Sequence, residues 1–537
     1  MAPRADQQTD YIIVGAGSAG CVLAHRLSER RDTAVCLLEA GGEHASALID
    51  TPLGIAPLLR GRRYNWYLQT EAQPELRGRQ LYWPRGKVLG GSSSINAMVY
   101  MRGHPGDYDD WAAAGNAGWA WSDVLPRFLR HECARFGDAA RHGVDGPLHV
   151  EALRSPNPLS LDFVRAGVAC GLPLREDFHD SDDPEGCGLY HVTQWQGRRW
   201  SAARAFLDPV RQRSNLQVRT GCRVRRVLFE GRRAVGVELD GPQGRQVLRA
   251  RVEVLLCAGA VHSPQLLLLS GVGDAAALRA LGIPLVLDLP GVGRNLQDHL
   301  DIAVSMREHS HAAVGVGPRM LPRLLGAAWR YRRRHDGLLS SNAAEAGGFA
   351  RSRRGLDRPD LQLHFLPSLL RDHGRRLVWG YGVTLHVCAL RPASRGSIRL
   401  QTPDVLTPPR IDPAYLSHAD DLPTLRAGLR LARRILGASA WGSKAGVERA
   451  PGPAVGDADA PLDAYIREHA ETIYHPAGSC RMGNDPLAVV DSRLRVRGLD
   501  ALRVADASIM PTLIGGNTNA ATMVIGEMAA DFLHGRA

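Results

Sequence analysis

The sequence predicts an α/β protein of two interleaved parts, a doubly wound domain on a mainly parallel sheet and a β-rich α+β domain. Three observations carry the prediction. The apolar run Tyr11–Val14 leads through Gly15-Ala16-Gly17-Ser18-Ala19-Gly20 into Val22, Leu23, Arg26 and Leu27 at helical spacing, which reads as strand, tight turn and helix. Short apolar strands return at Val252–Cys257 and at Leu502–Asp506, so distant segments feed one sheet. Between them, runs such as Leu361–Phe365 and Gly382–Val387 alternate apolar and polar residues, the pattern of antiparallel strands. The 537 residues, 44% hydrophobic and 23% charged, are ordinary for a globular protein and too many for one simple core.

The first βαβ unit closes at a second apolar run, Ala34–Leu38, which ends in Glu39, 19 positions beyond Gly20. Glycines in a GxGxxG turn let backbone amides approach a pyrophosphate at a helix N-terminus, and an acid at this distance receives a ribose hydroxyl pair. An NADP site would place an arginine there, so the motif predicts a Rossmann-like domain and leaves NAD and FAD open. A second glycine- and serine-rich segment, Pro84–Met98, lies far from the first and suits an extended flavin dinucleotide; taken alone it also reads as a surface loop. Near the C-terminus the Leu502–Asp506 strand is followed by turn residues and a helix from about Asn519 to Leu533, so both ends of the chain build the nucleotide domain. The expected division is 1–160, 216–305 and 465–537 for that domain, and 161–215 and 306–464 for the β-rich one.

The segment Tyr474-His475-Pro476-Ala477-Gly478-Ser479-Cys480-Arg481-Met482-Gly483 reads as a rigid irregular turn that holds His475. A positioned imidazole titrates near neutrality and can accept an alcohol proton while hydride leaves the carbon. A lone histidine is more often structural, but a second polar cluster, Gly515-Gly516-Asn517-Thr518-Asn519, opens the last helix just beyond the strand that bears Asp506.

These segments together resemble the glucose-methanol-choline (GMC) oxidoreductases, and within them the choline dehydrogenase-like bacterial alcohol dehydrogenases. The motifs are DYIIVGAGSAGCVLAHRLSE with LLEAGG, PRGKVLGGSSSINAMVYMRG, CAGAVHSPQLLLLSGVG, GVGRNLQDH, HPAGSCRMG and RVADASIMPTLIGGNTNAATMVIGE, in the family's order and nearly end to end. The resemblance implies FAD held in a glutathione-reductase-like domain and oxidation of a primary alcohol to its aldehyde by hydride transfer to flavin N5. It places the FAD phosphates on the Gly15, Gly17, Ser18, Ala19, Gly20 turn and the ribose on Glu39. It places the adenine near Trp66 and Val224, the isoalloxazine by Val88, Gly90, Asn96, Ala97 and Met98, and the ribitol near Asp506, Ala507 and Thr518. His475 becomes the catalytic base and Asn517 its partner, with Asn519 the fallback. Some members tether the flavin through a histidine where this sequence has Ile95, so attachment by that route is not expected. A hydroxynitrile lyase-type enzyme on the same scaffold, or a noncatalytic flavoprotein, is the rival reading.

Glu345, in the Ser341–Phe349 segment that resembles a pocket-lining stretch, either faces the cavity, where it would attract a cationic alcohol such as choline, or is paired within its domain. The net charge of +11 is spread along the chain on arginines, with only Lys87 and Lys444 as lysines, so it reads as a basic surface and not as a nucleic-acid site. Nine scattered cysteines without a CxxC pair suggest neither zinc nor a redox dithiol and fit a reducing compartment; no metal is expected. A polar leader, Met1–Asp10, and the lack of any run of roughly 20 apolar residues point to a cytoplasmic protein. Met320–Trp329 has apolar residues at helical spacing and is followed by arginines, which suits either contact with the inner face of a membrane near a quinone or a surface helix over the pocket. The expected partners are therefore an alcohol and an electron acceptor: oxygen, a quinone or a carrier.

Overall fold

The computed structural model describes residues 7–375 and 378–536. Met1–Asp6 of the polar leader lie outside the described residues.

The first of two large sheets has seven strands. Its parallel core runs Leu216–Arg219, Val35–Leu38, Gln7–Val14, Gly244–Leu256 and Leu502–Val504, in that order. Val35–Leu38 is buried along its whole length, as a strand covered on both faces requires, and this is why it reads as an unbroken apolar run. Gly244–Leu256 is long enough to serve twice. Its C-terminal half lies parallel to Gln7–Val14, while its N-terminal half forms an antiparallel extension with Arg233–Gly241 and then Arg223–Glu230.

The termini are clamped together over this sheet. The Ser18–Leu27 helix packs on the Asn519–His534 helix, where a Cβ on Gly526 would lie 2.8 Å from the Ala19 carbonyl oxygen. Fully buried Glu527 receives Arg26 at 2.9 Å and Arg130 at 2.6 Å. Removing either arginine leaves that carboxylate undercompensated in a low dielectric, which is the costly way to break a buried pair.

The second large sheet also has seven strands and is antiparallel. Its main path is Ala445–Ala450, Leu300–Glu308, Gly382–Ala389, Leu361–Leu366, Ala346–Ala350 and Gly186–Leu189, with Glu471–Thr472 beside Leu300–Glu308. Leu361, Leu363 and Phe365 point into an apolar core shared with the Asp421–Leu436 helix, which leaves Gln362 and His364 on the opposite face. The loops at the C-terminal ends of the parallel strands meet that polar face, and the cavity lies between them, where open α/β sheets bind their ligands. Among the described residues no helix is long and apolar enough to cross a membrane.

Candidate active site

A cavity of about 1090 Å³ runs from the first glycine turn to the polar face of the second sheet. Of the residues expected to hold a dinucleotide, Gly15, Gly17, Ser18, Ala19, Glu39, Trp66, Asn96, Ala97, Met98, Val224, Asp506, Ala507 and Thr518 line it. Gly20, Val88 and Gly90 do not. Gly20 packs against the Gly15 carbonyl, Val88 sits in a small core with Ile49, Leu58, Tyr64 and Ile95, and Gly90 donates its amide to the Ala16 carbonyl at 2.8 Å. These three shape the walls from behind.

The dinucleotide end is built from backbone. Gly91 has φ +54°, and a Cβ there would lie 2.7 Å from the Gly17 Cα, so the two glycine-rich segments touch through bare main chain. The Ser18–Leu27 helix has no side-chain cap at Gly17, which leaves its first amides free for an anion. Glu39 accepts the amides of Ala16 at 3.0 Å and Gly41 at 2.7 Å. Burial nevertheless pushes its carboxyl up to about 7, against the pull of those amides and of Lys87. Hydroxyl donors from a ribose would relieve that cost, so the site fits a dinucleotide. Trp66 carries Lys87 and Arg223 within 4.8 and 5.0 Å of its ring, a cationic, stacking-competent end for an adenosine diphosphate. Asp506 is saturated by Gly259 N, Ser263 Oγ and Ser508 N at 2.8, 2.5 and 2.8 Å, and ties the last strand to the Gly259–Leu269 helix.

The opposite end is built from side chains. His475 leaves the chain at an irregular turn in which Gly478 has φ +86°, with no room for a Cβ beside the Asn295 carbonyl 2.7 Å away. Its backbone amide donates to Asp298 at 2.7 Å, and Asp298 also receives Tyr415 and Thr472 hydroxyls. The imidazole Nδ1 lies 2.9 Å from His299 Nδ1, and His299 Nε2 lies 3.1 Å from the Leu390 carbonyl.

These contacts fix the protons. A carbonyl only accepts, so His299 Nε2 carries a hydrogen. Burial lowers His299 to about 3, so it is neutral and its Nδ1 is a lone pair. His475 Nδ1 must then donate to it, which leaves His475 Nε2 bare. Asn517 Nδ2 points at that bare nitrogen from 3.2 Å, while the Asn517 Oδ1 accepts Gln362 Nε2 at 3.0 Å. Burial, with His299, His364 and Arg85 nearby, holds His475 well below the ordinary imidazole range, so at neutral pH it is a free base facing the cavity.

Asn519, the fallback, accepts Ser18 Oγ at 2.7 Å at the dinucleotide end and is not among the partners of His475. Glu345 does not line the cavity: its carboxylate is held by Asn157 N, Ser160 Oγ and Ser341 Oγ at 2.6, 2.7 and 2.5 Å. Among the described lining residues the only carboxylates are Glu39 and Asp506, both at the dinucleotide end. The rest of the cavity lining includes apolar Val99, Val314, Leu339, Leu366, Leu369 and Ile473 together with polar Arg85, His364, His386, Tyr474 and Asn517. His386 is hydrogen-bonded to Asp301 behind it. Sequence reasoning missed Asp298, His299, Gln362 and His364. Asp298 and His299 stand in the quoted GVGRNLQDH motif, and Gln362 and His364 in the quoted alternating strand, so the signal was a position without a direction.

A dinucleotide-shaped cavity that ends at a bare imidazole defines a two-domain oxidoreductase. The chain belongs to the GMC oxidoreductases: models of that family match residues 9–301 and 392–526. It is 50% identical over 528 residues to "Alcohol dehydrogenase [acceptor]" of Pseudomonas putida, covering 98% of this chain and 95% of that one. It is 43% identical over 532 residues to "Oxygen-dependent choline dehydrogenase" of Sinorhizobium fredii, covering 98% and 96%. Among solved structures, pyridoxine 4-oxidase from Mesorbium loti superposes with a TM-score of 0.88 at 36% identity, over 98% of this chain and 100% of that one. Formate oxidase from Aspergillus oryzae superposes with a TM-score of 0.91 at 25% identity, over 99% and 98%.

Proposed function

We propose that the chain oxidises an uncharged, largely apolar primary alcohol to its aldehyde with bound FAD, and that His475 is the base. The observation that carries the reading is the bare His475 Nε2 at the apolar end of a cavity whose other end fits a dinucleotide. Bound FAD supplies the two-electron acceptor for the carbinol hydride. An alcohol hydroxyl that donates to His475 Nε2 takes the place of the Asn517 amide. That amide, held by Gln362, then turns its N–H to the alcohol oxygen and steadies the negative charge as the proton leaves. His299 keeps the other ring nitrogen a donor throughout, so His475 has one nitrogen with which to accept.

In this reading the FAD phosphates lie on Gly15, Gly17, Ser18 and Ala19, the ribose on Glu39, the adenine by Trp66 and Val224, and the flavin by Asn96, Ala97, Met98, Asp506, Ala507 and Thr518. The FAD domain is 1–160, 216–305 and 465–537, and the substrate domain is 161–215 and 306–464. The name of the P. putida relative supports an alcohol and a separate acceptor, be it oxygen, a quinone or a carrier. Choline fits the cavity poorly: among the described residues no carboxylate lines its substrate end to meet a quaternary ammonium, and Glu345 is engaged elsewhere. A panel of aliphatic, aromatic, polyether and quaternary ammonium alcohols, assayed with oxygen and with a dye acceptor, tests the reading. The expected result is a kcat/KM for uncharged apolar alcohols about tenfold or more above choline. A preference for choline contradicts the substrate class, and flavin that no alcohol bleaches returns the lyase.

A further inference from the structure

The five most exposed large apolar side chains among the described residues are Leu321, Leu325, Trp329, Trp379 and Val447, between 62% and 69% exposed. They lie on three segments linked by hydrogen bonds to backbone. Leu321, Leu325 and Trp329 recur every fourth residue along the outer side of the Met320–Arg334 helix, whose Met320, Ala327 and Tyr331 are buried. Trp379 pairs through its backbone with Val316, four residues before that helix, and its carbonyl accepts Arg449, two residues from Val447. An isolated exposed leucine needs no explanation, but a row of this kind does.

The same helix carries Arg323, Arg330, Arg332, Arg333 and Arg334 and no acid. Arg330 is paired with Asp336 at 2.6 Å, a carboxylate whose pKa the Arg334 charge also helps hold down, whereas Arg332 and Arg333 make no ion pair among the described residues. The Arg333 guanidinium lies 4.5 Å from the Trp329 ring centroid, the pairing of cation and indole that suits a headgroup boundary. Leu324 on this helix and Val316 beside Trp379 are also walls of the cavity. The exposed apolar face and the substrate space therefore share one layer of side chains.

We propose that this face docks on an anionic phospholipid bilayer, so that the cavity is filled from the membrane's apolar phase. The apolar row fits the acyl boundary and the unpaired arginines fit anionic headgroups. A second copy of the chain would cover the apolar row but would leave the arginine end of the helix without acidic partners, since the helix carries no acid, so it is the poorer occupant. The entry route rests on the reading of the substrate as an apolar alcohol; the docking itself does not.

Flotation of the purified flavoprotein with vesicles, in the absence of any alcohol, tests the docking. Wild type is expected to float with phosphatidylcholine vesicles that contain phosphatidylglycerol, to float less with phosphatidylcholine alone, and to lose binding as salt rises. A variant combining Leu325→Glu and Trp329→Glu is expected to bind about tenfold more weakly or less, with unchanged turnover of a short water-soluble alcohol. The proposal is overturned if wild type floats with neither vesicle, if the variant floats as well as wild type, or if wild type is a dimer that the variant dissociates. Because no substrate is present, failure here leaves the alcohol reading intact, and failure of the alcohol panel leaves the docking intact.

Discussion

The dinucleotide end of the cavity is shaped by main chain from two short glycine-rich segments, whereas the His475 end is assembled from the adjacent pair Asp298 and His299 together with Gln362, Leu390 and Asn517, four stretches of chain remote from one another and from His475. The first has one charged side chain at its turn, Glu39, fastened by two amides of its own neighbourhood. The second has no such local fastening: each polar atom is oriented by the next, from the Leu390 carbonyl through His299 to His475. A glycine wall fails when a Cβ is added, while a relay of side chains fails when any donor or acceptor is lost. The two ends therefore predict different mutational signatures.

The largest effect is expected at the relay's reactive atom. His475→Ala should lower kcat by about a thousandfold, ~4 kcal/mol of barrier, with flavin content unchanged. Gly91→Ala should do the reverse. Its methyl group meets the Gly17 backbone, so FAD affinity should fall about a hundredfold while the thermal unfolding midpoint shifts by only a few degrees, and loss of yellow colour on gel filtration reports it. Asn517→Ala should reduce kcat about a hundredfold with a smaller change in KM, because its N–H steadies the alcohol oxygen most strongly as charge develops there. His299→Leu removes the acceptor that fixes the His475 tautomer, and kcat should fall by roughly tenfold to a hundredfold, with KM nearly unchanged.

The smallest effect belongs to Glu39. Its carboxyl is raised to about 7, so the ionised acceptor that ribose hydroxyls need is present above that pH and is lost as pH falls through it. FAD affinity of the stripped protein should weaken about tenfold between pH 8 and pH 6, and a Glu39→Gln variant should be flat over the same interval.

The same contrast explains what was legible. Gly15 through Gly20, Glu39 and Pro84–Met98 lie in short segments that carry their geometry in residue types, so the βαβ unit, the doubly wound sheet and the glycine-rich wall of the cavity could be read directly. Gly20, Val88 and Gly90 are in the right segments, yet they stand behind the wall, because a motif does not say which of its residues face in. Alternation along Leu361–Leu366 put Gln362 and His364 on one face but not over which cavity, since that depends on how the strand pairs with Gly382–Ala389. Glu345 was ambiguous for a similar reason: its partners Asn157 and Ser160 lie almost 190 residues upstream. Asn517 and Asn519 differ by two positions at the start of one helix, and only the fold separates the one beside His475 from the one beside Ser18.

The central claim is that His475 faces the cavity as an unprotonated base, its Nε2 bared by His299. The rate of anaerobic flavin bleaching by a saturating primary alcohol, followed against pH by rapid mixing, tests it most directly. The account predicts a rate that is level through the ordinary imidazole range near pH 6.5 and falls only in more acid solution. A rate that falls in the ordinary imidazole range, or one that His475→Ala leaves unaltered, would contradict it.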